Sequence, residues 1–368
     1  MNPPISRRIV ALLGAVTTAL AAIAVSPATA MAEPHTSTQK ISPVYAVSDA
    51  LARQLARSMR DRTRHDRVVS AVAGGSAPLA GLRIDAAFAT AVRSADRTVA
   101  AAKGLPTGTA LLQVRLADPG MRSGLNSGAA PLIAATPTDD TATQLIAYDS
   151  AGASVTLDAA QIPSRPVLLV EVDTAKALPL GVALMRQRLA GGNRQPAAQR
   201  ATAATNGYWA TKINAVRLSD DEEPWFKGDA EIYSIVAATG LDGTPRADIV
   251  QMPYLNNDGV NYYPNQLLVG FNGYKYNLAD VVMMEDDGDT NYQQLAQAIA
   301  TALLTIADLG AYTPLVNAVL AAIPTSWYTD DPDYVDSWYT LSTASSGRLN
   351  GAAANGWMDV SPYFVTTL

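Results

Sequence analysis

Three dense clusters of carboxylates in the second half of the sequence are the side chains best suited to chemistry. The first contains Asp220, Asp221, Asp229 and Glu231, the second contains Asp286, Asp287 and Asp289, and the third contains Asp330, Asp331, Asp333 and Asp336. Carboxylates on loops supply the hard oxygen ligands that calcium prefers. We therefore expect the clusters to bind a metal ion, with calcium favoured. The alternative is that they are solvated loop acids on three separate edges.

The clusters lie where predicted strands pass into loops. If the strands on either side of a helical insertion pair, the second and third clusters share one end of a β-domain. Bringing so many like charges together is costly without a counter-ion. An EF-hand is excluded at the second cluster, because Tyr292 stands where its loop needs Gly and Ala298 where it needs a bidentate Glu.

Most other catalytic chemistry is excluded by composition. Cysteine is absent, so thiolate catalysis, disulfides and Cys-based zinc sites are ruled out. Only two His are present, His35 and His65, and neither a His-Glu-x-x-His nor a Gly-x-Ser-x-Gly motif occurs. A pair of carboxylates acting on carbohydrate needs no His, and Trp and Tyr in the second half could stack on sugars. An exported hydrolase of this type therefore remains the alternative to a binding protein.

Charge divides the chain. Residues 1–200 carry 21 Lys and Arg against 13 Asp and Glu, whereas residues 201–368 carry 6 against 20. This asymmetry indicates two units with different roles. The acidic second unit would repel a phosphate backbone, so we expect no nucleic acid partner.

The first 32 residues have the pattern of a signal peptide. Arg7 and Arg8 precede an uncharged, mostly apolar run, and small residues at Ala30 and Ala32 offer a cleavage site. No later stretch is apolar enough to span a membrane. The sequence predicts a secreted, extracellular protein without stable membrane insertion.

Residues 43–185 are predicted to form an α+β domain. Apolar residues at helical spacing predict a helix over 44–59, with Ser48 as its N-cap, and a second helix over 85–102. Short apolar runs then predict an antiparallel sheet from strands at 111–116, 131–134, 144–148 and 167–172.

A linker over 188–206 is predicted from its Ala, Gly, Gln and Thr content, and an acidic β-sandwich domain over 207–368 follows it. Strands in this domain are interrupted by a two-helix insertion over 290–324, in which Thr290 caps the first helix with Gln293 three residues later. The predicted fold class is thus an α+β N-terminal domain followed by a mostly-β sandwich.

Several phrases resemble a bacterial secreted family known as domain-of-unknown-function family 3103. They span most of 209–345 and include Asp220-Asp221-Glu222-Glu223-Pro224-Trp225, Met252-Pro253-Tyr254 and Asp333-Tyr334-Val335-Asp336-Ser337. The resemblance implies export and a two-part organisation, but no activity. In addition, residues 330–337 are similar to the acid-rich third loop of C2 domains, where aspartates precede a strand, so the sandwich is expected to be C2-like.

Taken together, these features predict a secreted, calcium-stabilised binding or interaction module. Its expected partner is a protein or glycan surface, because exposed-type Tyr and Trp accompany the acidic clusters and a catalytic His is missing.

Overall fold

The computed structural model describes residues 42–138, 142–191, 207–220, 225–286, 288–306, 309–323 and 334–366. The predicted signal peptide and residues 192–206 of the predicted linker lie outside this set. Five predicted metal ligands also lie outside it: Asp221, Asp287, Asp330, Asp331 and Asp333. The N-terminal half denotes the described residues up to 191, and the C-terminal half denotes those from 207 onward.

Helices and strands alternate in the N-terminal half. Its α-helices are α1 (Pro43–Ser58), α2 (Arg62–Ala71), α3 (Ala86–Ala102), α4 (Arg122–Asn126) and α5 (Thr174–Gly191). Its strands are β1 (Ser76–Pro78), β2 (Leu112–Leu116), β3 (Leu132–Ala135), β4 (Gln144–Tyr148), β5 (Ser154–Asp158) and β6 (Val167–Val172).

The C-terminal half is mostly strands. They are β7 (Gly207–Leu218), β8 (Tyr233–Thr239), β9 (Pro245–Gln251), β10 (Gln266–Gly270), β11 (Leu278–Met284), β12 (Tyr334–Ser342), β13 (Gly347–Asn350) and β14 (Gly356–Thr366). Helices α6 (Tyr292–Leu304) and α7 (Val316–Ala322) lie between β11 and β12, in the region of the predicted two-helix insertion.

The first six strands form one sheet in the order β1-β2-β6-β3-β4-β5. All six residues of β6 are buried, as expected for a continuous apolar strand inside a covered sheet. The sheet is antiparallel, as predicted, at every pair except β3 with β6, which pair in parallel. The β4–β5 hairpin intervenes between the two strands in sequence, and the chain then returns beside β3 in the same direction.

Two four-stranded antiparallel sheets form the C-terminal half, in the orders β10-β7-β14-β13 and β12-β11-β8-β9. Apolar side chains from both sheets, among them Ile213, Val236, Val281 and Met358, form one buried cluster. This is the arrangement of a β-sandwich. The predicted fold class, an α+β part followed by a mostly-β sandwich with a helical insertion, is confirmed.

Helix α5 was not predicted. Leu178, Val182, Met185 and Leu189 are buried at helical spacing along it, and residues 188–191 of the predicted linker belong to it. Gly181 of α5 lies against the ring of Tyr292 in α6, where an added Cβ would overlap the ring carbons. Only glycine allows the two helices to come this close.

Two predicted helix caps are wrong. Helix α1 is capped by Ser42, whose hydroxyl accepts a hydrogen bond from the Val44 amide at 3.2 Å, and Ser48 lies inside the helix. Helix α6 is capped by Asn291 rather than Thr290. In both places a second polar residue near the helix start satisfies the terminal amides instead.

The two halves share a buried apolar cluster. It contains Leu51 and Phe88 from the N-terminal half and Phe226 and Leu295 from the C-terminal half. Contacts between Cα atoms also place residues 41–368 in one unit. Independent folding of the two predicted domains stays a prediction. Within the described ranges, no helix combines the length and apolar character needed to cross a membrane.

Candidate functional site

A small cavity of about 50 Å³ lies where the two halves meet, and oxygen-bearing side chains line it. The N-terminal half contributes Ser48, Thr136, Thr138, Glu171 and Thr174, and the C-terminal half contributes Lys227, Glu231 and Asp286. The cavity therefore collects three carboxylates that are far apart in sequence, two of which belong to predicted acidic clusters.

Glu171 is the carboxylate contributed by the N-terminal half. It is the one charged residue of β6, and it is buried. Arg115 of the neighbouring strand β2 binds both carboxylate oxygens, with Nε 2.7 Å from Oε1 and Nη2 3.0 Å from Oε2, and the Thr136 hydroxyl donates to Oε2 at 2.8 Å. A bidentate Arg pair with additional hydrogen bonds is the arrangement that makes a buried carboxylate tolerable.

Arg115 also reaches across to the C-terminal half. Its Nη2 donates to the backbone carbonyls of Phe226 at 2.9 Å and Lys227 at 2.8 Å. These carbonyls lie in the segment that leads to Glu231. One guanidinium thus fixes Glu171 and the approach of Glu231 to the cavity at the same time.

Asp286 follows strand β11 and is buried. Its Oδ1 lies 3.5 Å from Nζ of the fully buried Lys103, and its Oδ2 accepts a hydrogen bond of 2.5 Å from the Tyr292 hydroxyl. The Lys103 ammonium also lies 4.8 Å from the centre of the Tyr292 ring, within range of a cation–π contact. Lys103 ends α3, so this buried ion pair joins the two halves.

Glu231 is partly exposed, lines the cavity and has an unusual pKa. Burial is the largest cause that raises the pKa of Glu231 from 4.5 to about 8, and the nearby charges of Asp286, Glu171 and Asp229 contribute in the same direction. A hydrogen bond with the Thr174 hydroxyl acts in the opposite direction. Without a bound cation, Glu231 therefore holds a proton at neutral pH.

The pKa of Glu231 predicts a pH dependence of stability. Between pH 4.5 and about 8 the folded state keeps a proton that the unfolded state releases, so the free energy of unfolding falls as pH rises. The slope from one group is at most ~1.4 kcal/mol per pH unit. We expect Glu231→Gln to remove this contribution and to be more stable than the wild type at the upper end of the range.

Denaturant unfolding in the presence of a chelator, repeated across that pH range, measures the slope. The matched control is Asp158→Asn, since Asp158 is exposed and accepts one backbone hydrogen bond, from Ala160. If the Gln variant and the wild type have the same slope, the raised pKa of Glu231 is refuted.

Ser48 supplies an unusual hydroxyl. It lies in the middle of α1, is only 2% exposed and lines the cavity. Its Oγ is buried and has no hydrogen-bond partner among the described residues. A buried hydroxyl without a partner costs free energy, so a ligand that contacts Oγ would remove that cost.

The donor set suits a hard cation in its chemistry. Every polar side chain lining the cavity except Lys227 offers carboxylate or hydroxyl oxygen, which calcium and magnesium prefer. Within the described part of the chain, no three Asp, Glu or His lie close enough together to hold one ion. From the described residues, an ion here would take at most two carboxylates, together with hydroxyls, carbonyls and water.

The predicted metal ligands divide between two places. Glu231 and Asp286 meet at the cavity, and the charge of the exposed Asp229 acts on Glu231. Asp289 is half-buried but does not line the cavity. The two others that the structure describes, Asp220 and Asp336, both contact Asn355. The metal-binding roles of the described acids stay predictions.

Asp336 has a clear structural environment. It is buried on β12, and its Oδ1 accepts hydrogen bonds from the amides of Ser337 and Ala353 at 2.7 and 2.8 Å. Its Oδ2 accepts from the amides of Asn355 and Gly356 at 3.0 and 2.8 Å. The carboxylate thus ties one sheet of the sandwich to the β13–β14 loop of the other, which accounts for its burial.

Three important residues were missed in the sequence: Glu171, Lys103 and Ser48. A usable signal existed for Glu171, since a single carboxylate interrupts an otherwise apolar strand, and such a buried charge requires a partner. The cavity position of Ser48 had no signal of this kind, because a serine near a helix start is usually a cap.

The fold and the site together define an α+β protein with a β-sandwich and a carboxylate-lined cavity between its halves. The model of the family described as "Protein of unknown function (DUF3103)" matches residues 47–367, so the chain belongs to this family, as its motifs indicate. A search of curated proteins and a search of solved structures each found no match to the chain. The C2-like character of the sandwich stays a prediction.

Proposed function

We propose that this protein is an exported binding module that calcium stabilises. The observation that carries the proposal is the convergence of Glu231 and Asp286, from two separate acidic clusters, on one cavity with the buried Glu171. Arg115 and Lys103 neutralise Glu171 and Asp286. The charges that raise the pKa of Glu231 are those of neighbouring carboxylates, so a cation that replaces its proton would relieve their repulsion.

The composition of the site sets the expected affinity. Few carboxylates and several neutral oxygens correspond to weak calcium binding, with a dissociation constant of about 10⁻⁴ to 10⁻³ M as in extracellular modules. Such an affinity suits an exported protein, because calcium outside cells is abundant compared with the cytosol. Export itself rests on the signal-peptide pattern of residues 1–32.

Calcium should raise the thermal midpoint of the mature protein. A ligand that binds only the folded state stabilises it, and for a site of this affinity we expect a shift of roughly 2 to 6 °C in 10 mM calcium compared with chelator. Differential scanning fluorimetry measures the shift, and native mass spectrometry counts the bound ions. If calcium neither raises the thermal midpoint nor appears as a bound ion, the proposal is refuted.

The partner is proposed to be a protein or glycan surface. Large aromatic side chains are exposed on the sandwich, including Trp209, Tyr263 and Tyr363, and such rings are common at recognition surfaces. The acidic character of the second half gives no support to a nucleic acid partner.

An exported hydrolase that uses paired carboxylates is the second candidate. The raised pKa of Glu231 beside the ion-paired Glu171 fits a general acid next to an ionised carboxylate. However, the cavity of about 50 Å³ is smaller than the ~300 Å³ or more of typical ligand pockets. The geometry therefore supports an ion with its waters better than a sugar. Release of reducing ends from polysaccharides, lost in Glu231→Gln, would reverse this preference.

A further inference from the structure

We propose that the cavity binds one divalent hard cation through oxygen ligands from both halves, with the Ser48 hydroxyl among them, so that the cation fastens the N-terminal half to the β-sandwich. This inference rests on the proposed calcium function and deepens it.

The Ser48 hydroxyl is the observation that points to a ligand. A serine inside a helix usually bonds back to the carbonyl four residues earlier. Here Ser48 lines the cavity, and its Oγ is buried and has no partner among the described residues. The lone pairs of Oγ accept no hydrogen bond within the described part of the chain, so this neutral oxygen can still coordinate a cation.

The carboxylates come from both sides of the cavity. Glu171 belongs to strand β6 of the N-terminal half, and Glu231 and Asp286 belong to segments of the C-terminal half that flank β8 and β11. The hydroxyls of Thr136 and Thr174 lie on the same wall as Glu171. An ion that contacts groups on both walls can bind only when the two halves are docked. Its binding free energy therefore stabilises the docked arrangement of the two halves.

The size of the cavity is consistent with one ion. A buried water needs roughly 10 to 15 Å³ of such volume, so about 50 Å³ accommodates a cation with two or three waters. Because the described residues bring no three carboxylates together, water and hydroxyl oxygens would fill the remaining ligand positions. Removal of the Ser48 hydroxyl should therefore cause a measurable loss of calcium affinity.

Two variants test the role of Ser48 directly. Ser48→Ala removes the unpartnered hydroxyl, so in chelator it should leave the thermal midpoint unchanged or raised. In isothermal titration with calcium alone it should weaken binding about three- to tenfold. The matched control is Thr290→Val, because Thr290 is also buried and its hydroxyl also has no partner among the described residues, but it does not line the cavity. Its calcium affinity should be that of the wild type.

Hydrogen exchange tests the fastening of the two halves. Addition of calcium to the full chain should slow amide exchange in α1 around Ser48 and in the residues after β6, as well as around Glu231 and Asp286. Protection on both walls supports the proposal. Protection confined to the C-terminal half overturns it.

The outcomes separate this inference from the proposed function. If Glu231→Gln loses calcium binding while Ser48→Ala retains wild-type affinity, the Ser48 hydroxyl is not a ligand. The proposed function then stands, but this inference, which includes Ser48 among the ligands, is wrong. If the wild type does not bind calcium at all, both fail together.

Discussion

Replacement of Asp336 by Asn is expected to lower the free energy of unfolding by about 3 kcal/mol. Both carboxylate oxygens are buried and each accepts two backbone amides. An Asn amide group keeps one acceptor oxygen but points two N–H donors at the other pair of amides. Two buried donors would lose their acceptor, and the β13–β14 loop would lose its attachment to β12. Urea unfolding at neutral pH measures the change.

Asp158→Asn is a control for the same chemical change at an exposed carboxylate that accepts one backbone amide. Its cost should stay below about 0.5 kcal/mol. A fall of less than about 1 kcal/mol for Asp336→Asn would show that the loop finds other acceptors.

A complementary loss of stability is expected for substitution of Gly351, where an added Cβ would overlap the carboxylate of Asp336.

Replacement of Lys103 by Met should cost about 3 to 5 kcal/mol, because it leaves the buried Asp286 carboxylate without a cation. Methionine fills a volume similar to that of lysine. The loss in unfolding free energy therefore measures the removal of the charge rather than a change in packing. The side chains of Lys103 and Asp286 are both fully buried, so the carboxylate would lose its cationic partner in a buried environment. Equilibrium unfolding in chelator isolates this effect from calcium.

A double-mutant cycle provides the control for this prediction. Asp286→Asn removes the partner charge while it keeps the size of the side chain. If the pair is coupled, the double variant should be more stable than the sum of the two single losses implies, by about 1 to 3 kcal/mol. Strictly additive losses would mean that the hydrogen bond from Tyr292, rather than the charge of Lys103, offsets most of the cost of burying the Asp286 carboxylate.

Local patterns identified most of the helices and strands. Leu51 and Leu55 at helical spacing indicate α1, and the apolar run from Val167 to Val172 indicates β6. These features depend on neighbours within one element, which is why a single sequence contains them. The parallel pairing of β3 with β6 depends instead on which strand returns beside which, and no local pattern encodes that order.

The candidate site was only partly predictable for the same reason. Glu231 and Asp286 were found because each lies in a visible acidic cluster. Their meeting with Glu171 and Ser48 depends on the packing of the two halves, which brings together residues from distant parts of the chain. Asp336 shows the converse case. Its cluster suggested a metal ligand, whereas the amides that surround it come largely from a loop that no acidic pattern could reveal.

The pairing of β7 with β14 has a consequence for how the chain acquires its structure. Gly207 pairs with Thr366, and the two strands stay in register along most of their length, with β14 lying between β7 and β13. An interior strand of the sandwich is thus contributed by residues that a ribosome adds long after their partner. Long-range pairing of this kind is slow, because a large loop must close before any contact compensates for it. The sandwich therefore cannot complete this sheet until residue 366 is available, and we expect β7 to lack one of its two partner strands until then.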